Sequence, residues 1–119
     1  MARRFAFLLL LPAMAAMAGE VAILDAAARA SGATWTFDVT LRHDDTGWDH
    51  HADAWRVLGP DGAALGVRTL YHPHETEQPF KRSLSGVAIP AGVAEVRIEA
   101  HDKVHGWAAA QFPVALPGR

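Results

Sequence analysis

The amino-acid sequence predicts an all-β protein, a small antiparallel β-sandwich of about seven strands. Short segments in which apolar and polar residues alternate recur along the chain, and this spacing indicates half-buried strands. Clusters of glycine, proline, aspartate and serine separate these segments, as they do at turns. Beyond the N-terminal segment, no long run has the apolar spacing of a helix.

The N-terminal segment has the pattern of a secretory signal peptide. Arg3 and Arg4 supply positive charge, residues 5–18 are apolar, and two A-x-A signals end this run. Because the run is shorter than the roughly 20 residues that cross a bilayer, an uncleaved anchor is the weaker interpretation. We expect cleavage after Ala18, with Ala15 as the alternative. The predicted division is a signal peptide over residues 1–18 and one β-sandwich domain over residues 19–119.

The composition limits how this domain is stabilised and what it contacts. The chain has no cysteine, so we expect neither disulfides nor a lipid-modified N-terminal cysteine, and packing has to stabilise the fold. Cleavage would remove Arg3 and Arg4 and make the formal net charge more negative than −2. We therefore expect no binding to nucleic acid and no membrane association after cleavage. The predicted location is periplasmic or secreted.

The first two strands are predicted from alternation. Residues 21–29 alternate at Val21 and Ile23, and although the alanines that follow also fit a helix, we interpret the segment as a strand. After a Ser-Gly turn, residues 34–43 have the clearest strand pattern in the chain. The apolar side chains on one face of this second strand are Trp35, Phe37, Val39 and Leu41.

Five more segments complete the sandwich. Trp55 and Val57 indicate the third strand, and a Gly-Pro-Asp-Gly turn leads to a fourth, in which residues 65–71 alternate. In the fifth strand the alternation that begins at Phe80 slips at Gly86, which predicts a β-bulge. The apolar positions of the sixth and seventh strands are Val96, Ile98, Ala100, Phe112, Val114 and Leu116.

This architecture resembles that of immunoglobulin and fibronectin type III domains, which pack about seven strands in two sheets. The resemblance is one of architecture alone, since the cysteine pair of antibody domains is missing. If each strand reverses direction, successive connections fall alternately at opposite ends of the sandwich.

All seven histidines lie in three stretches, residues 43–53, 72–75 and 101–107. Alternating connections would bring these stretches to one end of the sandwich and leave the other turns at the opposite end. The three connections also hold seven acidic residues against one lysine, Lys103. An end with this charge and so many imidazoles should attract a cation.

We predict that the cation is a divalent transition metal, zinc or copper(II). Neutral imidazoles and carboxylates bind both ions, and the chain after the signal peptide has neither thiol nor thioether. The first choices as ligands are His72, His74 and His105, and the further candidates are His50, His43 and His101. The residues expected to orient these ligands or shield them are Asp44, Asp49, Asp102, Trp48 and Trp107.

Other interpretations of these residues stay open. Loop histidines often only hydrogen-bond to nearby carboxylates, and histidines beside carboxylates can also respond to pH. Trp48 and Trp107 could contact a carbohydrate or a protein partner. A calcium loop at residues 44–49 lacks the required spacing. We expect an exported carrier, buffer or sensor of metal rather than an enzyme, although a metal-activated water is conceivable. The alternative is a non-catalytic recognition module, and a protein partner in the periplasm fits either function.

Overall fold

A computed structural model of the protein describes residues 19–119. The predicted signal peptide and its cleavage position lie outside the described residues. Within them, every regular element is a strand, and no helix is long and apolar enough to cross a membrane. The strands are β1 (Ala22–Ser31), β2 (Thr34–Arg42), β3 (Ala52–Leu58), β4 (Ala64–Thr69), β5 (Phe80–Val87), β6 (Glu95–Asp102), β7 (Gly106–Trp107) and β8 (Phe112–Ala115).

The strands form two sheets, and every strand pair is antiparallel. One sheet has the order β1-β2-β5, and the other has the order β4-β3-β6-β7 with β8 also paired to β6. Because β7 and β8 pair with different halves of β6, they act as one interrupted edge strand. The predicted small antiparallel β-sandwich is therefore confirmed, whereas the closer resemblance to immunoglobulin or fibronectin type III domains stays a prediction.

Apolar side chains from both sheets meet between them and form a single core. Trp35, Phe37, Val39 and Leu41 are all buried, as the alternation of β2 predicts. Trp55 is fully buried from the opposite sheet. Since the chain has no disulfide, burial of these large side chains is the main source of stability, at about 25 cal/mol per Å² of apolar surface.

The first segment is a strand, as interpreted, although its alanines would also fit a helix. β1 is at the edge of the three-stranded sheet and pairs with β2 along its whole length, from Ala22 opposite Arg42 to Ser31 opposite Thr34. The tertiary pairing outweighs the helix propensity of alanine. In this position the small side chains of Ala26 and Ala28 pack against the core.

The predicted bulge at Gly86 is also confirmed. Leu84 pairs with Phe37 and Val87 pairs with Trp35, so β5 has one more residue than β2 between these pairs. Gly86 has a φ of 71°, which L side chains rarely adopt. The bulge lets Phe80 and Leu84 before it, and Val87 after it, all face the core.

A second bulge places the alternating residues of β4 on unexpected faces. The register shifts where Leu58 pairs with Ala64 and Val57 pairs with Gly66. After this shift Gly66 faces the core, because a Cβ added there would lie 3.0 Å from Leu84 Cδ2. The face that carries Val67 and Tyr71 is consequently exposed to solvent, with Tyr71 at 74% exposure.

The connections place the histidines together. The β2–β3, β4–β5 and β6–β7 connections all lie at one end of the sandwich, as the alternating topology predicts. The opposite end holds the β3–β4 and β5–β6 turns, which line an open groove of about 570 Å³ between Leu58 and Val96. No histidine lines that groove. The chemistry of the imidazoles is therefore separate from this concave surface.

Candidate metal centre

Three residues from three parts of the chain bring their ligand atoms together. His43 follows β2, His50 lies in the β2–β3 connection, and Asp102 ends β6. One ligand atom of each lies within 4.8 Å of the others. Because β3 pairs with β6, Ala52 lies opposite Asp102, and this pairing brings the connection that carries His50 against the end of β6.

Asp102 is a fully buried carboxylate of which only one oxygen is satisfied. Its Oδ1 accepts hydrogen bonds from the backbone N–H groups of Val104 (2.9 Å) and His105 (2.8 Å), and from His105 Nδ1 (3.1 Å). Burial raises the pKa of Asp102, but these hydrogen bonds outweigh it and leave the pKa below its usual value. Oδ2 is buried and has no partner in the described chain, so an ionised group has one oxygen free to bind a cation.

His50 presents an unpartnered nitrogen to this carboxylate. Its Nε2 is buried and lies 3.3 Å from Asp102 Oδ1. Among residues 19–119 this nitrogen makes no hydrogen bond of acceptable geometry. The ring is held between those of His43 and His105, with centroid distances of 4.7 and 5.2 Å. A buried nitrogen of His50 and a buried oxygen of Asp102, both without partners, therefore belong to side chains that are in contact with each other.

His43 is oriented by a carboxylate that the sequence-based prediction missed. Its Nδ1 lies 2.5 Å from Asp45 Oδ1, and Asp45 also accepts hydrogen bonds from the backbone N–H groups of Ala52 and His74. Because a carboxylate only accepts, Nδ1 of His43 is the donor in this contact. Carboxylates commonly fix metal-binding histidines in this way. Asp45 lies two residues after His43, and residues at this spacing face the same way in extended backbone. This spacing is the feature of the sequence that could have identified Asp45 as the partner of His43.

Gly19 contacts two imidazoles of the cluster. Its carbonyl oxygen lies 2.8 Å from His43 Nε2. A Cβ added to Gly19 would lie 2.7 Å from Cε1 and 3.2 Å from Nε2 of His105, so the backbone of Gly19 packs directly on that ring. Residue 19 is therefore in contact with two of the imidazoles.

The other predicted ligands are in two places near this cluster. His72 and His74 lie beyond Asp45, with ring centroids 4.7 Å apart, and His74 stacks on Phe80. His101 points away from Asp102 because adjacent residues of a strand face opposite ways, and its Nδ1 contacts Asp53. His105 lies at the cluster itself. The structure thus places His43, His50 and His105 around Asp102, whereas His72, His74 and His101 lie apart from this group.

The residues predicted to orient or shield the ligands are also divided. Asp102 is at the centre of the cluster, whereas Asp44 and Asp49 are exposed and form no hydrogen bond with a histidine among residues 19–119. Trp48 is 67% exposed and packs edge-on against His51. Trp107 has the Arg56 guanidinium 3.7 Å from its ring centroid, so one face of this ring is covered.

Comparison with known proteins provides one informative similarity. No family model matches the chain, and no solved structure matches it significantly. A protein of Halomicrobium mukohataei with the name "Putative lipoprotein" is 44% identical over 78 residues. The aligned region covers 66% of this chain but 38% of that protein, so the chain spans well under half the length of the relative it matches.

Proposed function

We propose that this protein is exported and binds a divalent transition metal, zinc or copper(II), as a carrier, buffer or sensor. The observation that supports the proposal most directly is the pair of buried atoms without partners, His50 Nε2 and Asp102 Oδ2. Leaving such atoms unsatisfied costs about 1–3 kcal/mol each. A cation bound between them, with His43 as the third ligand, would satisfy both.

The donor set favours a transition metal over calcium or magnesium. Imidazole nitrogen suits zinc, copper and nickel, whereas calcium and magnesium prefer oxygen ligands throughout. Three protein ligands also leave coordination positions for water, for a further residue or for a partner's ligand. A protein that accepts and releases its metal uses such open positions, and we propose binding without catalysis.

Export is proposed from two independent features. The N-terminal segment has the pattern of a secretory signal, with cleavage after Ala18. The name of the similar Halomicrobium mukohataei protein is that of a lipoprotein, a class that is exported and associated with the cell envelope. We therefore propose that this chain is exported or associated with the envelope.

A thermal melt of the chain that begins at Gly19 tests metal binding. After treatment with a chelator, the chain is melted alone and with zinc, copper(II), nickel and calcium. A metal that binds only the folded state stabilises it by about 2.7 kcal/mol at 100 times its dissociation constant. We expect a rise of the melting temperature with zinc or copper(II) and none with calcium. An unchanged melting temperature with all four ions would refute the proposal.

Two histidine variants distinguish the cluster from the ligands that the sequence favours. His50→Ala removes a buried ligand atom and should abolish the metal-induced rise. His72→Ala removes an exposed imidazole that lies apart from the cluster and should preserve the rise. The opposite result would move the site to the His72–His74 pair.

A second candidate function is non-catalytic recognition of a carbohydrate or a protein partner. The exposed indole of Trp48 favours it, because such a ring provides a large apolar contact surface. Trp107 fits this function less well, since Arg56 covers one face of its ring. A Trp48→Ala variant should lose binding to a glycan or partner if recognition is the function, while its metal response should equal that of the parent chain.

A further inference from the structure

Two imidazole nitrogens converge on the backbone of Gly19. The carbonyl oxygen of Gly19 lies 2.8 Å from His43 Nε2. A Cβ built on the Cα of Gly19 would lie 3.2 Å from His105 Nε2. The opposite nitrogen of each ring contacts a carboxylate: His43 Nδ1 contacts Asp45, and His105 Nδ1 contacts Asp102. The two rings are therefore held in the same way, with their far nitrogens directed at one residue.

The carboxylates determine which nitrogen of each neutral ring carries the proton. Since Asp45 and Asp102 only accept hydrogen bonds, Nδ1–H of each ring is the donor, and each Nε2 has a free lone pair. For His43 this lone pair faces a carbonyl oxygen, which also has no proton to donate. Two acceptors 2.8 Å apart repel each other unless a proton or a cation lies between them. A metal ion bound to both atoms would remove the repulsion.

Gly19 is also the residue at which the signal peptide is expected to end. While the leader is attached, the nitrogen of Gly19 is an amide whose lone pair is delocalised into the peptide bond. Cleavage after Ala18 would turn it into a free α-amine, one bond from the Cα that packs on His105. An amine nitrogen and the carbonyl oxygen of the same residue can bind one metal ion as a five-membered chelate.

We infer that the free α-amine of Gly19, created by signal cleavage, is a ligand of the metal site, together with the Nε2 atoms of His43 and His105. The inference rests on the metal-binding function proposed above and on cleavage after Ala18. The unprocessed chain lacks this ligand, so export would complete the site. A site richer in nitrogen donors binds copper(II) and nickel more strongly relative to zinc, which narrows the choice of metal to copper(II).

The position itself requires glycine. A Cβ on residue 19 would come within 2.7 Å of His105 Cε1. Any other residue would have to displace the His105 ring, which its hydrogen bond to Asp102 holds in place. The backbone of residue 19 can approach the imidazoles closely only because it has no side chain.

The test compares the chain that begins at Gly19 with the same chain acetylated at its α-amine. Acetylation removes the amine and adds no residue, so the metal-free melts of the two forms should coincide. Copper(II) affinity is measured by competition with a chelator near pH 8, the ordinary pKa of an α-amine. We expect acetylation to weaken binding by at least about tenfold, which is about 1.4 kcal/mol. The electron paramagnetic resonance spectrum of bound copper(II) should also lose one nitrogen donor.

Three other results are informative. A chain extended by Ala18 should behave like the acetylated form, because its amine is displaced from the site. If free, acetylated and extended chains bind copper(II) equally while His50→Ala loses binding, the amine is not a ligand and the metal-binding function stands. If none of the chains binds zinc or copper(II), the proposed function fails and this inference fails with it.

Discussion

Among single residues, Asp102 has the environment that is most difficult to explain without a cation. Its side chain is fully buried, yet one of its two oxygens has no partner in residues 19–119. The hydrogen bonds from residues 104 and 105 favour the charged form, so the site keeps a negative charge at neutral pH. The imidazoles of His43 and His50 lie beside it, with a nitrogen of each close to the carboxylate. This combination is typical of a metal site and unusual in a core that only packs.

Replacing Asp102 by Asn should separate the metal response from the fold. The amide oxygen can still accept the backbone hydrogen bonds that Oδ1 accepts, so the local backbone arrangement should survive the change. We expect the metal-free variant to lose about 1–2 kcal/mol at pH 7, because the hydrogen bonds become neutral. Its response to zinc or copper(II) in thermal melts should disappear. An Asp102→Asn variant that keeps the metal-induced rise would exclude Asp102 as a ligand.

His74 should make the stability of the metal-free protein depend on pH. Burial lowers its pKa below 6.5, and Arg82 and His72 lower it further. Below pH 6.5 the unfolded chain therefore takes up a proton that the folded chain refuses, so stability decreases as the pH falls towards the folded pKa. His74→Phe keeps the stacking on Phe80 and removes the titration. We expect its stability relative to the parent to increase as the pH falls from about 7.5 to about 5, measured by urea unfolding with a chelator present.

A constant difference between parent and His74→Phe across that range would contradict this expectation. The comparison is made without metal, because acid also releases metals from imidazoles. Both ring nitrogens of His74 are buried without partners in the described chain, so the phenyl ring should not destabilise the protein at neutral pH.

At the scale of the strands, the bulges decide which residues the two faces carry. The slip at Gly86 is visible in the sequence, because the apolar parity changes on either side of a glycine. The bulge between β3 and β4 gives no such signal, and it exposes Val67 and Tyr71. Alternation alone predicts which residues share a face, but only the register with the neighbouring strand shows which face meets the core.

Gly86→Ala should destabilise the protein through the backbone alone. Nothing lies within 4 Å of the position of an added Cβ, so no steric contact contributes. The φ of 71° costs a residue with a side chain about 1–2 kcal/mol. Urea unfolding should show this loss, and Gly86→Asn should lose less, because asparagine tolerates the left-handed region better. Equal losses for both variants would mean that a contact, rather than the backbone conformation, is responsible.

The difference between local alternation and strand register also explains how much of the candidate site could be predicted from the sequence. The reversal of successive strands was enough to place all three histidine stretches at one end. It could not show that Ala52 pairs with Asp102, or that His101 and Asp102 face opposite sides of β6. The pairing of Ala52 with Asp102 brings the connection that carries His50 to Asp102 and thus beside His43. The alternation along β6 turns His101 towards Asp53. Ligand partners across strands depend on long-range register, which the local pattern does not contain.

At the scale of the whole molecule, the charge is concentrated at the end that carries the cluster. The histidine-rich connections contain Asp44, Asp49, Glu75 and Glu77, all exposed, whereas Lys103 is their only basic residue. The groove at the opposite end has both Glu95 and Arg97 on its walls. A field of this kind attracts cations to one end and raises their local concentration there.

This polarity predicts an effect on the rate of metal association that is separate from the ligands. The double variant Asp49→Asn, Glu75→Gln removes two exposed charges, neither of which belongs to the group of ligand atoms. We expect slower zinc association in stopped-flow measurements at low salt and an unchanged dissociation rate, because the ligands are intact. The difference should shrink at about 0.15 M salt, where the Debye length is about 8 Å. Glu95→Gln, an exposed charge at the opposite end, is the matched control and should leave the association rate unchanged. If Glu95→Gln slows association as much as the double variant does, only the net charge matters, and the concentration of acidic residues around the cluster does not guide the metal.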